Sequence, residues 1–486
     1  MHNILFASSE AYPLMKTGGL ADVSASLPAA LKELGCTVRV LIPGYPAALD
    51  TIKKSRRRKI AQLTIRDEPV TLWQTPIKGA DVTFWVMECA PFSDRPGNPY
   101  QDPDGNDWPD NAERFHLFCE LTRLLALGQG GVNWTPDVVH CNDWQTGLVP
   151  ALLHDHPERP ATVFTIHNLA YQGLFPAEIR HTLELPETFW HMDSLEFYGK
   201  VSFIKGGIAY ADQLTTVSPG YAEEIRTPEY GCGLDGLLRA REAYLSGILN
   251  GVNYADWNPQ TDPHLVANYH AGDLDNKSVC KQDLLQRLNL HAGSTDQPLL
   301  GFVGRLVEQK GIDLILDSLP WLLKQGCRVV VLGSGDSDLE QRLQTLQKKF
   351  SGQLSVNLGY DEALAHQITA ASDLFLMPSR FEPCGLNQMY SLYYGTLPLV
   401  HKVGGLRDTV FDPSEFTMDQ ANGFSFKEPT LESFQQALRR ALTSYQNPEH
   451  WQSLQANGMA GDYSWKNSAR AYKDLYQAAL NQISER

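Results

Sequence analysis

The chain has 486 residues, 43% hydrophobic and 20% charged, enough apolar material for two or three folded domains and too much for a disordered polymer. With 41 Lys+Arg against 56 Asp+Glu, its net charge of −15 excludes a general polyanion surface and hence nucleic acid as the expected partner. No run approaches the ~20 apolar residues that span a bilayer, and the start, Met1-His2-Asn3-Ile4-Leu5-Phe6, lacks the basic region and long hydrophobic stretch of a signal peptide.

Residues 3–8 predict a strand. The loop Lys16-Thr17-Gly18-Gly19 follows, and then Leu20, Val23, Leu27, Leu31 and Leu34 recur at helical spacing up to Gly35. Residues 38–42 predict the next strand, which completes a right-handed, parallel β-α-β unit. The basic run Lys53-Lys54-Ser55-Arg56-Arg57-Arg58-Lys59 reads as a solvated loop or helix end. Residues 81–89 predict a strand, 94–110 a long Pro/Gly/Asp/Asn-rich loop and 112–127 a helix. Further strands are predicted at 138–140, 163–166 and 214–217.

Around Leu249-Asn250-Gly251-Val252-Asn253 the texture turns polar, which marks a domain boundary. Strands at 299–303, 328–332, 354–358, 374–377 and 397–400 then alternate with helices, of which 312–323 is the clearest. The final stretch, 468–483, is helical with no strand after it. The chain therefore divides into an N-terminal α/β domain (1–248), a C-terminal α/β domain (249–465) and a closing helix (466–486) expected to return to the first domain. Both domains predict doubly wound parallel sheets facing across a cleft, with ligands beyond the strand carboxyl ends. Eight cysteines, none in a CxxC pair and several inside apolar runs, fit the reducing cytoplasm.

Five loops at predicted strand ends carry the chemistry. In Lys16-Thr17-Gly18-Gly19-Leu20 the glycines allow a ligand close to the backbone, the helix start favours an anion, and Lys16 adds a point charge; the plain alternative is a turn with a surface lysine. The loop is not GxGxxG, and Asp22 falls at the helix start, so it is no nicotinamide fingerprint. In Gly304-Arg305-Leu306-Val307-Glu308-Gln309-Lys310-Gly311 two cations share a loop before a helix, which suits a diphosphate gaining charge as it leaves. Solvent-facing cations are the alternative there, and the P-loop pattern is missing. In Ser379-Arg380-Phe381-Glu382-Pro383-Cys384-Gly385-Leu386, Glu382 suits ribose or sugar hydroxyls, or else is an acid favoured near a helix start. Cys384 has no neighbouring His to activate it. Asp143 and His167 each end a first-domain strand on the edge predicted for Lys16. A metal set of His140, Asp143 and His167 is conceivable, without any further ligand cluster beside it.

Taken together, these motifs resemble the bacterial glycogen synthase and plant starch synthase family over nearly the whole chain. The resemblance rests on Lys16-Thr17-Gly18-Gly19-Leu20-Ala21-Asp22-Val23, Asp137-Val138-Val139-His140, Asp143-Trp144, Thr165-Ile166-His167-Asn168-Leu169-Ala170-Tyr171-Gln172-Gly173, Leu249-Asn250-Gly251-Val252, Arg305-Leu306, Gln309-Lys310-Gly311 and Pro378 to Leu386. It implies a GT-B fold and transfer of glucose, with retention, from ADP-glucose to the non-reducing end of an α-1,4-glucan, without metal or other cofactor. It further implies Arg305 and Lys310 on the diphosphate, and Lys16, Gly18, Gly19 and Asp22 near the donor. Tyr360 would pack on adenine, and Glu382 with Cys384, Gly385 and Leu386 would hold ribose, glucose and phosphate. His167 and Asn168 would face the donor glucose, Asn250 the hinge and Asp143 the acceptor. The chain departs from many relatives at Asn387 and Val403, where they carry Thr, and has Tyr390 where the wider fold has a second glutamate. Three rivals are a non-catalytic nucleotide-sugar or glucan-binding protein, a pyridoxal-phosphate glucan phosphorylase, and an enzyme that takes UDP-glucose or another acceptor.

Overall fold

Short apolar runs set between amphipathic stretches become parallel strands. The computed structural model describes residues 2–77, 80–291 and 296–485. The chain divides into one unit of residues 1–251 with 465–486 and a second of residues 252–464.

The first unit contains β1 (Asn3–Ala7), β2 (Thr37–Pro43), β3 (Arg58–Ile65), β4 (Glu68–Ile77), β5 (Ala80–Glu88), β6 (Val138–Asn142), β7 (Ala161–Ile166), β8 (Leu174–Pro176), β9 (Glu196–Phe197), β10 (Lys200–Ser202), β11 (Gln213–Thr216) and β12 (Leu245–Gly247). Its large sheet runs β12-β11-β7-β6-β1-β2-β5-β4-β3, and a small sheet runs β8-β10-β9. The chain leaves β1 towards β2 on one side and later fills β6 on the other, so the strand order reverses between β1 and β6. Ligands of open α/β sheets bind at such a reversal.

The large sheet is not wholly parallel. β3 and β4 pair antiparallel, and β4 pairs antiparallel with β5. The basic run ends the helix Pro46–Lys53 with most of its side chains exposed, as expected of a solvated helix end, and goes on to open the edge strand β3. The hairpin turns at Arg66 and Asp67, both at positive φ (48° and 64°), a mirror-image turn usually marked by Asn-Gly. Here Arg66 reaches across to the carbonyls of Thr182 (2.7 Å) and Leu183 (3.0 Å).

The closing helix, Trp465–Ser484, packs on the first unit. Ala469, Tyr472, Tyr476 and Ala479 recur at helical spacing and join the core around Val23, Leu27 and Leu31. Burying each large side chain contributes about 1.5–3 kcal/mol. The Tyr476 hydroxyl lies 2.8 Å from His140 Nδ1, and Thr165 Oγ1 lies 2.6 Å from His140 Nε2.

The second unit contains β13 (Leu299–Val303), β14 (Arg328–Gly333), β15 (Leu354–Leu358), β16 (Leu374–Met377), β17 (Leu397–His401) and β18 (Phe424–Phe426). The order is β15-β14-β13-β16-β17-β18, parallel throughout. The order reverses between β13 and β16. The helix Ile312–Lys324 buries Ile312, Ile315, Leu319, Leu322 and Leu323 against this sheet.

Candidate active site

In the first unit, β1, β6 and β7 are adjacent and parallel, so their carboxyl ends share one edge. Asn142, the last residue of β6, laces that edge. Its Nδ2 donates to the Ala7 carbonyl (3.0 Å), and its Oδ1 lies 2.9 Å from His167 Nε2. Asp143 follows at φ +57°, a strained conformation for a residue with a Cβ and one concentrated at functional sites. Its Oδ1 accepts from the backbone N–H groups of His167 (2.7 Å) and Asn168 (3.4 Å), so Asp143 holds the His167 loop. Burial pushes the Asp143 carboxyl up to about 7, against those two hydrogen bonds, with the Glu10 charge adding to the rise. Burial pushes His167 down to about 3, so its imidazole is neutral at neutral pH. Both nitrogens of fully buried His140 face the hydroxyls of Tyr476 and Thr165. That engagement removes His140 from the metal set considered above. Among the described residues no group of three His, Cys, Asp or Glu could hold a metal ion.

The loop between β1 and the helix Gly19–Glu33 is clamped from within. Buried Glu10 accepts from the backbone N–H groups of Thr17 and Gly18 (3.3 Å), from Thr17 Oγ1 (2.6 Å) and from the Tyr100 hydroxyl. A carboxylate of the protein thus occupies part of the anion-favouring backbone expected to be open, which corrects that reading. Sequence reasoning missed Glu10; the available signal was a lone acid among small residues just past a strand. Lys16 pairs with Asp22 (2.8 Å) in the first helical turn. Neither Gly18 nor Gly19 is required by the chain's own packing: Gly18 is extended, and a Cβ at either position would meet nothing within 4 Å. Asn250 is buried, and among the described residues its Oδ1 has no hydrogen-bond partner.

In the second unit the loops after β13 and β16 meet at the reversal of strand order. Lys310 Nζ lies 2.6 Å from Glu382 Oε2, which also accepts from Ser379 Oγ (2.9 Å). Gln309 ties the same loops by donating to the Phe381 carbonyl and accepting from the Arg380 N–H (2.8 Å). Arg380 forks onto both oxygens of Asp313 at 2.8 Å. Arg305 is exposed and donates a long hydrogen bond to Gln309 Oε1 (3.5 Å). Glu382 is therefore no helix-start acid: the helix Asn387–Tyr393 begins five residues later, and the carboxylate is held by a cation and a hydroxyl.

Gly404, Gly405 and Gly311 let this cluster close. Gly311 (φ +70°) and Gly404 (φ +43°) are left-handed, and a Cβ would stand 2.1 Å from the Pro378 carbonyl oxygen and 2.0 Å from that of Glu382. Gly385 is also left-handed (φ +71°), and buried Cys384 accepts at its carbonyl from Gln388 (3.0 Å). Leu386 precedes the helix, and Asn387 Nδ2 donates to the Val303 carbonyl (2.9 Å). Val403 is buried, and Tyr390 stacks on Trp257 at 4.0 Å. Tyr360, just past β15, is 81% exposed. The structure thus joins Lys16 with Asp22, Asp143 with His167 and Asn168, and Lys310 with Glu382.

Comparison with known proteins places this geometry. Residues 3–240 match the starch synthase catalytic domain model, and residues 291–457 match glycosyl transferases group 1. The chain is 56% identical to a glycogen synthase of Cellvibrio japonicus, covering 98% of this chain and 99% of that one. It is 54% identical to a glycogen synthase of Marinobacter nauticus, covering 98% of each. Among solved structures it resembles the catalytic domain of starch synthase IV from Arabidopsis thaliana bound to ADP and acarbose, with a TM-score of 0.86, 34% identity and 99% of each chain covered. With two Rossmann-like units, matched models on both halves and relatives this close over the full length, the chain is a GT-B glycosyltransferase and belongs to the glycogen and starch synthase family.

Proposed function

We propose that this chain transfers glucose from ADP-glucose to the non-reducing end of an α-1,4-glucan, with retention, releasing ADP. The observation that carries the reading is the Lys310–Glu382 pair at the strand reversal of the second unit, with exposed Arg305 on the same loop. Breaking a sugar–phosphate bond builds negative charge on the leaving diphosphate, and preorganised cations stabilise that charge most in the transition state. Arg305 and Lys310 supply those cations from this unit, and the reading calls for no metal and no other cofactor.

In the same reading Glu382 takes ribose and glucose hydroxyls, with the Cys384-Gly385-Leu386 backbone beside it. Tyr360 offers its exposed ring to adenine, and Asp22 lies by the donor with Lys16. The open space over Gly18 and Gly19 admits the donor. His167, neutral and oriented by Asn142, meets the donor glucose with Asn168, and the unpartnered Asn250 Oδ1 faces ligand. Asp143 acts on the acceptor side by fixing the His167 loop. Retention proceeds by attack on the face the phosphate leaves, with the departing phosphate accepting the acceptor's proton. Thiols without a CxxC pair, seven of the eight buried, favour a cytoplasmic setting. No helix among the described residues is long and apolar enough to cross a membrane.

The test incubates the protein with glycogen and either ADP-glucose or UDP-glucose, without added metal, and measures nucleoside diphosphate release and glucan growth. ADP release coupled to chain extension is the expected result. Folded protein that releases neither diphosphate overturns the reading, and a covalent glucosyl adduct trapped on Asp143 overturns the same-face step.

A further inference from the structure

Among the described residues, the exposed large apolar side chains of the first unit are Tyr12, Tyr171, Leu174, Met192, Tyr198 and Tyr244. Four of them fall between residues 171 and 198, on and around the small sheet β8-β10-β9. Tyr198 is the most open, at 82% exposure. It sits at the tip of the β9–β10 hairpin, where Tyr198 and Gly199 both have positive φ, +47° and +77°. This mirror-image turn suits strand twist and selects Asn, Asp or Gly. A bulky ring at positive φ is an outlier. The chain therefore keeps, at a fully presented position, the side-chain type that the local backbone disfavours. Strain of this kind persists where it serves a site.

The hairpin is fastened to the edge that carries Asp143 and His167. Gly173 (φ +59°) lets the ring of Trp144 lie against the chain, since a Cβ there would stand 2.5 Å from that ring. Trp144 in turn packs on Phe175 of β8, with centroids 5.8 Å apart. Gln172, next to Tyr171, donates to the Cys232 carbonyl (2.9 Å). The following residue, Gly233, packs against the β9–β10 turn, where a Cβ would stand 3.0 Å from the Phe197 ring and 3.4 Å from the edge of Tyr198. Glu196 accepts from the Gly199 N–H (2.7 Å) and fixes the turn.

We propose that Tyr198, with Tyr171, is a binding platform for the acceptor glucan, taking sugar units beyond the one that reacts. The proposal rests on the glucan reading above. Each glucose unit has a hydroxyl rim and an apolar C–H face, and the positively polarised C–H hydrogens suit the negative face of an aromatic ring. An exposed tyrosine on a rigid turn offers such a face at little cost in side-chain freedom. The occupant is a glucan because the platform is built directly on the loops of Asp143-Trp144 and His167 to Tyr171, so a chain leaving that edge passes over it.

Tyr198→Asn tests this without the usual ambiguity, because Asn is favoured in the left-handed turn and the variant is expected to melt no lower than the wild type. The KM for glycogen is expected to rise about three- to tenfold relative to the KM for maltotriose, the range of one aromatic contact. Tyr198→Phe and Tyr198→Trp keep a ring and are expected to restore the wild-type ratio. An unchanged ratio in Tyr198→Asn overturns the platform, as does a parallel rise in the KM for ADP-glucose. A change in oligomeric state on sedimentation overturns it too, by showing that the ring covers a second copy of the chain. Wild-type protein that elongates no glucan overturns the underlying reading, a result visible before any variant is made.

Discussion

Two segments of the molecule carry nearly the same string. Lys16-Thr17-Gly18-Gly19-Leu20-Ala21-Asp22 opens a helix after β1, and Lys402-Val403-Gly404-Gly405-Leu406-Arg407-Asp408 opens one after β17. In the second, the glycines serve the chain itself. A Cβ on Gly404 or Gly405 would lie 2.0 and 2.1 Å from the carbonyl oxygens of Glu382 and Cys384, so their absence lets the helix start press against the Glu382 loop. In the first, the Gly18 backbone is extended, and among the described residues a Cβ on either glycine would meet nothing within 4 Å beyond its own chain neighbours and helix turn. One glycine pair accommodates the protein's backbone, and the other faces open space. Nearly the same residues between a strand and a helix thus have different physical surroundings, and neighbouring atoms distinguish them.

The largest effect expected on this comparison comes from the cation beside the second pair. Lys310→Ala removes the partner of buried Glu382 and a charge opposite the leaving diphosphate, and kcat is expected to fall about 10²–10³-fold. A loss confined to KM would mean that Lys310 binds donor and transition state equally. Next is Gly405→Ala. Overpacking against the Cys384 carbonyl is expected to cost about 1–3 kcal/mol, read as a lower denaturation midpoint. Unchanged stability would show that the loop yields and would break the contrast between the two pairs.

Gly19→Ala sharpens it from the other side. Stability is expected to hold within about 0.5 kcal/mol, as for substitutions away from packing constraints, while the KM for ADP-glucose rises several-fold. A KM that does not move would leave the space over Gly18 and Gly19 without a ligand.

The smallest effect concerns Asp143. Burial first of all raises its folded pKa to about 7 from the usual 3.8. Between those values the folded state binds more protons than the unfolded state, so this group's contribution to stability falls as pH rises from about 4 to 7 and then levels off. Asp143→Asn keeps an oxygen for the His167 and Asn168 N–H groups and cannot ionise. The melting temperature of the wild type relative to this variant is expected to drop by a few degrees between pH 5 and 7.5; parallel curves would place an ionised Asp143 in the fold throughout.

Local pattern made much of the molecule legible. Apolar runs at 299–303 and 374–377 are β13 and β16 with the same bounds, because buried parallel strands are continuous in apolar residues and their periodicity is local. The loops that hold Lys310, Glu382, Asp143 and His167 were legible for the same reason, since each directly follows such a run.

What stayed hidden depends on residues distant in sequence. The β3–β4 hairpin turns on Arg66 and Asp67, whose left-handed backbone is supported by carbonyls more than a hundred residues away. Glu10 gained its role only where Thr17 and Tyr100 converged on it. His140 had the look of a ligand until Tyr476 of the closing helix met its ring. Strand identity and loop order follow from short-range hydrophobic periodicity, which the amino-acid string contains. The edge hairpin, the Glu10 clamp and the distinction between the two glycine pairs arise from close packing and hydrogen-bond satisfaction between distant segments, and these exist only once the chain has folded.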